Sequence, residues 1–292
     1  MQEPRRRRRP RLRGLSINRL LPNLLTIFAL VSGLTSIRFA IQDRWELAVI
    51  AILVAAILDV MDGGLARLLK ASSPLGAQLD SLSDFVCFGV APALLLYLWT
   101  GENAGSLGWL VTLAFAICAA MRLARFNVAK EADDKPAWAA TYFTGVPSPA
   151  GAGLALLPMM IDFQTGPGIS GYPVLVALWT VVVGLLMVSN LSTFSLKKVR
   201  IPERHLIFVM VGLGLLIAAL FSAPWQTLTI LALLYLCTLP ISQLRYQRQM
   251  RETAEKGAIQ PDALNEAILD EIEDEDGEDE PPPPADSPSP PR

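Results

Sequence analysis

Eight apolar runs, most of them long enough to cross a bilayer as a helix, dominate this chain of 292 residues. A spanning helix needs roughly 17 to 25 such residues, which leaves almost no sequence here for a soluble fold. The approximate limits are 23–41, 45–61, 79–99, 107–121, 148–161, 172–189, 205–221 and 225–241. The fourth and fifth runs are short, so seven spans is the alternative count. Loop charge decides for eight. Lys and Arg collect in alternate loops, at Arg67 and Lys70, at Arg122, Arg125, Lys130 and Lys135, at Lys197, Lys198, Arg200 and Arg204, and after Arg245. The opposite loops hold only Arg44, with Arg38 near the end of its span. The positive-inside rule then puts both termini in the cytoplasm. The expected fold is an all-α, polytopic integral membrane bundle of about eight helices.

The charges missing from the spans are found at the ends. Nine of the 52 charged residues fall in residues 1–20 and seventeen in residues 251–292. Three regions follow: a basic cytoplasmic arm over 1–20, a membrane domain over 21–245, and an acidic, Pro-rich tail over 246–292. Eight arginines (Arg5 to Arg9, Arg11, Arg13 and Arg19) make the arm. With a membrane body directly behind it, the arm reads as a cytoplasmic retention signal that contacts anionic lipid, and no nucleic-acid partner is expected. The tail has too little apolar surface to offset its ordering entropy and is expected to be disordered. Cys87, Cys118 and Cys237 lie in apolar runs far apart and read as packing residues.

The window with chemistry in it contains Asp59, Asp62, Gly63, Gly64, Ala66, Arg67, Gly76, Asp80 and Asp84. Acids at membrane depth are costly, which makes each a functional candidate. Asp59 and Asp62 share a helix face, and Gly76, Asp80 and Asp84, each four apart, form one stripe. Two facing helices then bring four carboxylates together, a site that only cations can settle. Oxygen ligands without His or Cys favour hard divalent ions such as Mg²⁺, Mn²⁺ or Ca²⁺. Four acids suit two ions about 4 Å apart, the arrangement used in phosphoryl chemistry. The small residues let a diphosphate approach helix backbone, and Arg67 supplies a fork of donors for phosphate oxygens. Two other readings stand beside this one: Asp80 as a helix cap, and the acids as a proton or cation pathway in a transporter.

The spacing D-x2-D-G-x2-A-R-x8-G-x3-D-x3-D, from Asp59 to Asp84, resembles the signature of the CDP-alcohol phosphatidyltransferases. The resemblance implies an integral membrane enzyme with two divalent ions, Mg²⁺ or Mn²⁺. It implies that Asp59, Asp62 and Asp80 hold metal, and that Asp84 both reaches metal and acts as general base. Gly63, Ala66, Arg67 and Gly76, with Asp62, are implied to line the CDP site. It further implies a six-helix catalytic body, with the last two helices peripheral, and a homodimer.

Three more segments resemble the membrane-type phosphatidylserine synthases of that family. They are Pro22 to Thr26, with Asn23 and Thr26 as donor-site candidates; Arg122 to Asn127, with Arg122, Arg125 and Asn127 as acceptor candidates; and Met187 to Ser189 followed by Lys197, a fourth acceptor candidate. The implied substrates are CDP-diacylglycerol and L-serine, and the implied place is the bacterial inner membrane, with the site on its cytoplasmic side. Arg122, Arg125 and Lys197 also have a plain reading as positive-inside residues. Glycerol 3-phosphate or inositol phosphate as acceptor is the alternative within the family, and an ion-coupled transporter the alternative outside it. His205, the only histidine, begins the seventh run and reads as an interfacial residue.

Overall fold

The computed structural model describes residues 17–70, 73–100, 105–131, 142–166, 168–194 and 203–248. The structure is helical, with helices α1 (Ile17–Ile41), α2 (Trp45–Leu68), α3 (Pro74–Phe85), α4 (Ala91–Thr100), α5 (Gly105–Glu131), α6 (Ser148–Ala155), α7 (Leu157–Thr165), α8 (Pro173–Val188) and α9 (Leu206–Ser222). A further helix, α10, runs over Pro224–Arg248. Five helical stretches are long and apolar enough to span a bilayer, and α8 and α9 are shorter apolar helices. The surface is covered with Leu, Ile, Val and Phe, among them Ile57, Val60, Leu113, Leu178, Phe208 and Phe221. In water such a shell would aggregate, while in lipid it is solvated. The protein is a polytopic helical membrane protein.

Helices α1 and α2 form a tight hairpin. Asp43 turns it in the left-handed region, at φ 56°, a conformation Asp tolerates better than most residues. Alanines 29, 40, 48, 51 and 55 are buried along the two helices, and Ser32 donates to the Ala51 carbonyl at 2.7 Å. Small residues and interhelical hydrogen bonds stand in for the hydrophobic drive that lipid removes.

Helix α2 continues to Leu68, past the run that ends at residue 61. Apolar residues end where acids begin, but the backbone still needs internal partners at the membrane surface, and the helix provides them. At the next helix the start also moves outward. Ser73 caps α3 by accepting from the Gly76 amide at 3.0 Å, and Pro74 takes the first turn, where its missing N–H costs nothing. Asp80 therefore lies well inside the helix, and the capping reading for it is corrected. A π-helical segment, Val86–Val90, joins α3 to α4 in one continuous span.

The fifth run is not one helix. It breaks at Leu156 into α6 and α7. Pro158 has no amide to give the Leu154 carbonyl four residues back. That carbonyl accepts instead from the Trp179 indole of α8 at 2.7 Å. At the far end Asp162 accepts from the amides of Gly168 and Ile169 at 2.9 and 2.8 Å, closing the turn into α8.

A two-stranded antiparallel ribbon, β1 (Tyr142–Thr144) with β2 (Ser192–Phe194), ties the entry of α6 to the exit of α8. No sequence periodicity announces it, since three residues are too few to show one. Gly145 follows β1 at φ 78°, against the Met187 carbonyl, where a side chain would not fit.

The core gathers Phe88, Leu95, Phe115, Leu154, Met159, Val183 and Met187, with Leu239 of α10. Phe163 of α7 meets Trp225 of α10 edge to face at 4.8 Å, and Gln164 donates to Thr229 at 2.8 Å. Helix α9 has no buried residue.

Candidate active site

The ends of α2 and α3 carry the four acids. Asp59, Asp62 and Asp80 each place a carboxylate oxygen within 4.8 Å of the other two. Asp84, one turn beyond Asp80, lies outside this triangle, but its side chain is in hydrogen-bonding contact with Asp59. Two carboxylates are both acceptors, so only a proton or a cation can join them. Oδ1 of Asp84 is buried with no hydrogen-bond partner. A triangle of hard oxygen donors beside a fourth carboxylate with one unpartnered oxygen suits divalent ions of the Mg²⁺ or Mn²⁺ kind. The buried Cys87 thiol, three residues after Asp84, donates to the Ala29 carbonyl at 3.3 Å.

Helix α1 fixes the acids from behind. Thr26, buried to 4% exposure, donates to Oδ2 of Asp62, and its own carbonyl accepts from Ser83 at 3.4 Å. Gly33 lets α1 touch α3 and its π segment, because a Cβ there would stand 2.5 Å from Cys87 Sγ and 3.1 Å from its Cα. Gly76 has a similar duty. A Cβ on it would lie 2.7 Å from Asn23 Oδ1, so Asn23 and Gly76 form the contact between α1 and the start of α3.

Gly63 and Gly64 differ from these two. A Cβ at either would meet nothing within 4 Å, so the backbone beside Asp62 faces open space. Arg67 is exposed next to it, its Nε anchored on the Gly63 carbonyl at 3.0 Å. Ala66 is half-buried in the same turn. Open backbone, a guanidinium and two acids, Asp59 and Asp62, lie together on one short stretch of α2, with Asp80 of α3 beside them, a surface suited to a diphosphate.

The acceptor candidates separate. Arg122 is buried to 9% exposure, donates from Nη1 to Ser148 Oγ at 2.6 Å and lies over the Phe126 ring at 5.5 Å. Its Nε is buried without a partner, and the guanidinium interacts electrostatically with Asp84. Arg125 is exposed and ties α5 to the end of α8, donating to the Val188 carbonyl at 2.8 Å and Asn190 Oδ1 at 3.1 Å. Asn127 donates to Ser81 Oγ at 3.0 Å, bracing α5 against α3 beside Asp80. Lys197 and Lys198 lie outside the described residues. Sequence reading missed Ser73 and Ser148. The pair Ser73–Pro74 was a legible helix start.

Comparison with known proteins matches the chain to a family. The family model for CDP-alcohol phosphatidyltransferase covers residues 19–186, and that for CDP-alcohol phosphatidyltransferase 2 covers residues 204–240. The chain is similar to a CDP-diacylglycerol–serine O-phosphatidyltransferase of Mycobacterium tuberculosis, 35% identical over 245 residues, which is 83% of this chain and 84% of that protein. Proteins of the same name from Helicobacter pylori and Bacillus subtilis are similar too. The first is 35% identical over 74% of this chain and 88% of its own length, the second 33% identical over 61% and 92%. The helical membrane body, the acids of α2 and α3 and these matches agree: the chain is a transferase and belongs to the CDP-alcohol phosphatidyltransferase family.

Proposed function

We propose that the protein transfers the phosphatidyl group of CDP-diacylglycerol to the hydroxyl of L-serine, giving phosphatidylserine and CMP. One observation carries the chemistry: the unpartnered, buried Oδ1 of Asp84, one turn from the triangle of Asp59, Asp62 and Asp80. A serine hydroxyl is a poor nucleophile at neutral pH and needs a base within hydrogen-bond reach. Asp84 Oδ1 takes the proton as the serine oxygen bonds to the phosphorus that carries diacylglycerol. The phosphoanhydride bond breaks on the far side, and CMP leaves with the electron pair. Arg67 and the open backbone at Gly63 and Gly64 hold the phosphates and meet the charge that develops on the leaving group. Asp59, Asp62, Asp80 and Asp84 would hold Mg²⁺ or Mn²⁺, which when bound would offset pyrophosphate charge and align the reacting oxygens. Thr26 fixes the Asp62 carboxylate for that task.

Serine as the acceptor is supported by the names of the relatives in all three bacteria. Loop charge supports a site on the cytoplasmic face of the bacterial inner membrane, where the nucleotide head of the donor can enter while its acyl chains stay in lipid. The test is CMP release by purified protein with Mg²⁺ or Mn²⁺, comparing serine, glycerol 3-phosphate and inositol phosphate. Release with serine alone is expected; release only with a phosphorylated acceptor would overturn the serine assignment and keep the four-acid chemistry.

A further inference from the structure

Asp80 reaches the triangle from α3, while Asp59 and Asp62 belong to α2. Three carboxylates within 4.8 Å of one another repel, so the helix that brings Asp80 has to be held from outside the acids. Two ties come from α1: the contact of Asn23 with Gly76, and the bond from Ser83 to the Thr26 carbonyl at 3.4 Å. A third comes from α5. Asn127 Nδ2 donates to Ser81 Oγ at 3.0 Å. The Ser81 hydroxyl gives its own proton to the Ala77 carbonyl at 3.1 Å. Its oxygen is left as an acceptor, and the donor of the bond to α5 has to be the Asn127 amide.

Ser81 directly follows Asp80, and consecutive side chains on a helix point about 100° apart. Asp80 can therefore face α2 while Ser81 faces α5. Farther along the span the same two stretches touch again at Gly89 and Ala119, where a Cβ on the glycine would stand 2.9 Å from that of Ala119. Gly89 lies eight residues after Ser81, and Ala119 eight before Asn127, roughly 12 Å along each helix. Close packing at one point and a hydrogen bond at the other fix both the distance and the rotation of the acid-bearing half of α3 against α5. Distances in a metal site tolerate only about 0.2 Å, so a helix free to rock about the Gly89 contact would hold an ion poorly. We propose that Asn127 is a positioning residue for metal binding: acting through Ser81, it sets where Asp80 stands against Asp59 and Asp62. This role replaces that of an acceptor ligand for Asn127, and it rests on the acids holding a divalent ion.

The test is direct Mn²⁺ binding by the purified protein, followed through the electron paramagnetic resonance signal of the free ion, beside serine-dependent CMP release. Asn127→Leu and Ser81→Ala should each weaken Mn²⁺ binding by about 10-fold. The double variant should bind no more weakly than Asn127→Leu alone, since both changes remove the same bond. Ser81→Thr, which keeps the hydroxyl, should bind as the unaltered protein does. At saturating Mn²⁺ the serine KM stays unchanged in all of them. Unchanged Mn²⁺ binding in Asn127→Leu, whatever its thermal midpoint, or losses that add in the double variant, would overturn the proposal. A serine KM raised by Asn127→Leu and not by Ser81→Ala would overturn it in favour of an acceptor contact. Absence of Mn²⁺ binding by the unaltered protein would instead overturn the metal assignment on which the proposal depends.

Discussion

The hydroxyl of Thr26 on α1 donates to Oδ2 of Asp62 on α2 at 2.5 Å, thirty-six residues apart in sequence. The contact holds one acid of the triangle in a single orientation, from a helix that carries none of the four acids. Partners of this kind are typically worth about 10- to 100-fold in metal affinity or activity. Thr26→Val should therefore raise the Mn²⁺ concentration needed for half-maximal CMP release by about 10-fold, with near-normal turnover at saturating Mn²⁺. A metal titration of both proteins checks this.

Asp84→Asn keeps the shape of the side chain and removes its capacity as a base. Turnover should fall by about 10²-fold or more while the protein still inserts and folds. Near-normal turnover at saturating serine would remove Asp84 from the chemistry. Asp59→Asn is expected to act through metal affinity, with part of its activity returning at high Mn²⁺.

Three glycines of the same region should respond differently to Ala. At Gly33 the new Cβ would meet Cys87 at 2.5 Å, with backbone at 3.1 Å, so stability should fall by about 1 to 3 kcal/mol. At Gly63 it meets nothing within 4 Å, and the helix should gain up to about 1 kcal/mol of propensity. Gly63→Ala should nevertheless lose activity, because the space it fills is where the donor phosphates approach. Gly76→Ala, pressed against Asn23, should do some of each. Thermal midpoints beside KM values for CDP-diacylglycerol separate the three.

Trp179→Phe leaves the Leu154 carbonyl unpaired beside Pro158. A stability loss of about 1 to 2 kcal/mol is expected, with the KM for both substrates unchanged, since the break lies away from the acids. Thermal unfolding in detergent measures it.

Deleting residues 252–292 should leave CMP release per folded molecule unchanged. Loss of release from a well-inserted truncation would show that the segment contributes to the enzyme.

What the sequence disclosed and what it hid have physical causes. Asp59, Asp62, Asp80 and Asp84 were legible because helical spacing alone fixes which acids share a face. Helix ends were less so. Hydropathy reports where the apolar residues stop, while α2 and α3 run past that point, ending at Leu68 and starting at Pro74, to keep their own hydrogen bonds. The break at Leu156 had a visible cause in Pro158, but its repair by Trp179 is a contact across twenty-five residues that no local pattern encodes. Asn23 and Gly76 were expected around the donor; the structure adds that each is the other's packing partner. Arg122 stood out as one charge among several in a basic loop, and only burial separates it from exposed Arg125.

The π-helical segment Val86–Val90 divides one span into two phases. One residue added to an α-helical ladder turns everything beyond it by about 100°. Pro74–Phe85 can thus aim Asp80 and Asp84 at α2, while Ala91–Thr100 independently aims Leu95, Leu96 and Trp99 at the core. A helical wheel drawn through the whole span would misassign the faces of one half. Deleting a single residue within 86–90 would restore an unbroken ladder, and either the carboxylates or the core leucines would swing out of place. Chain length at this joint is therefore held more tightly than the identity of most of its side chains.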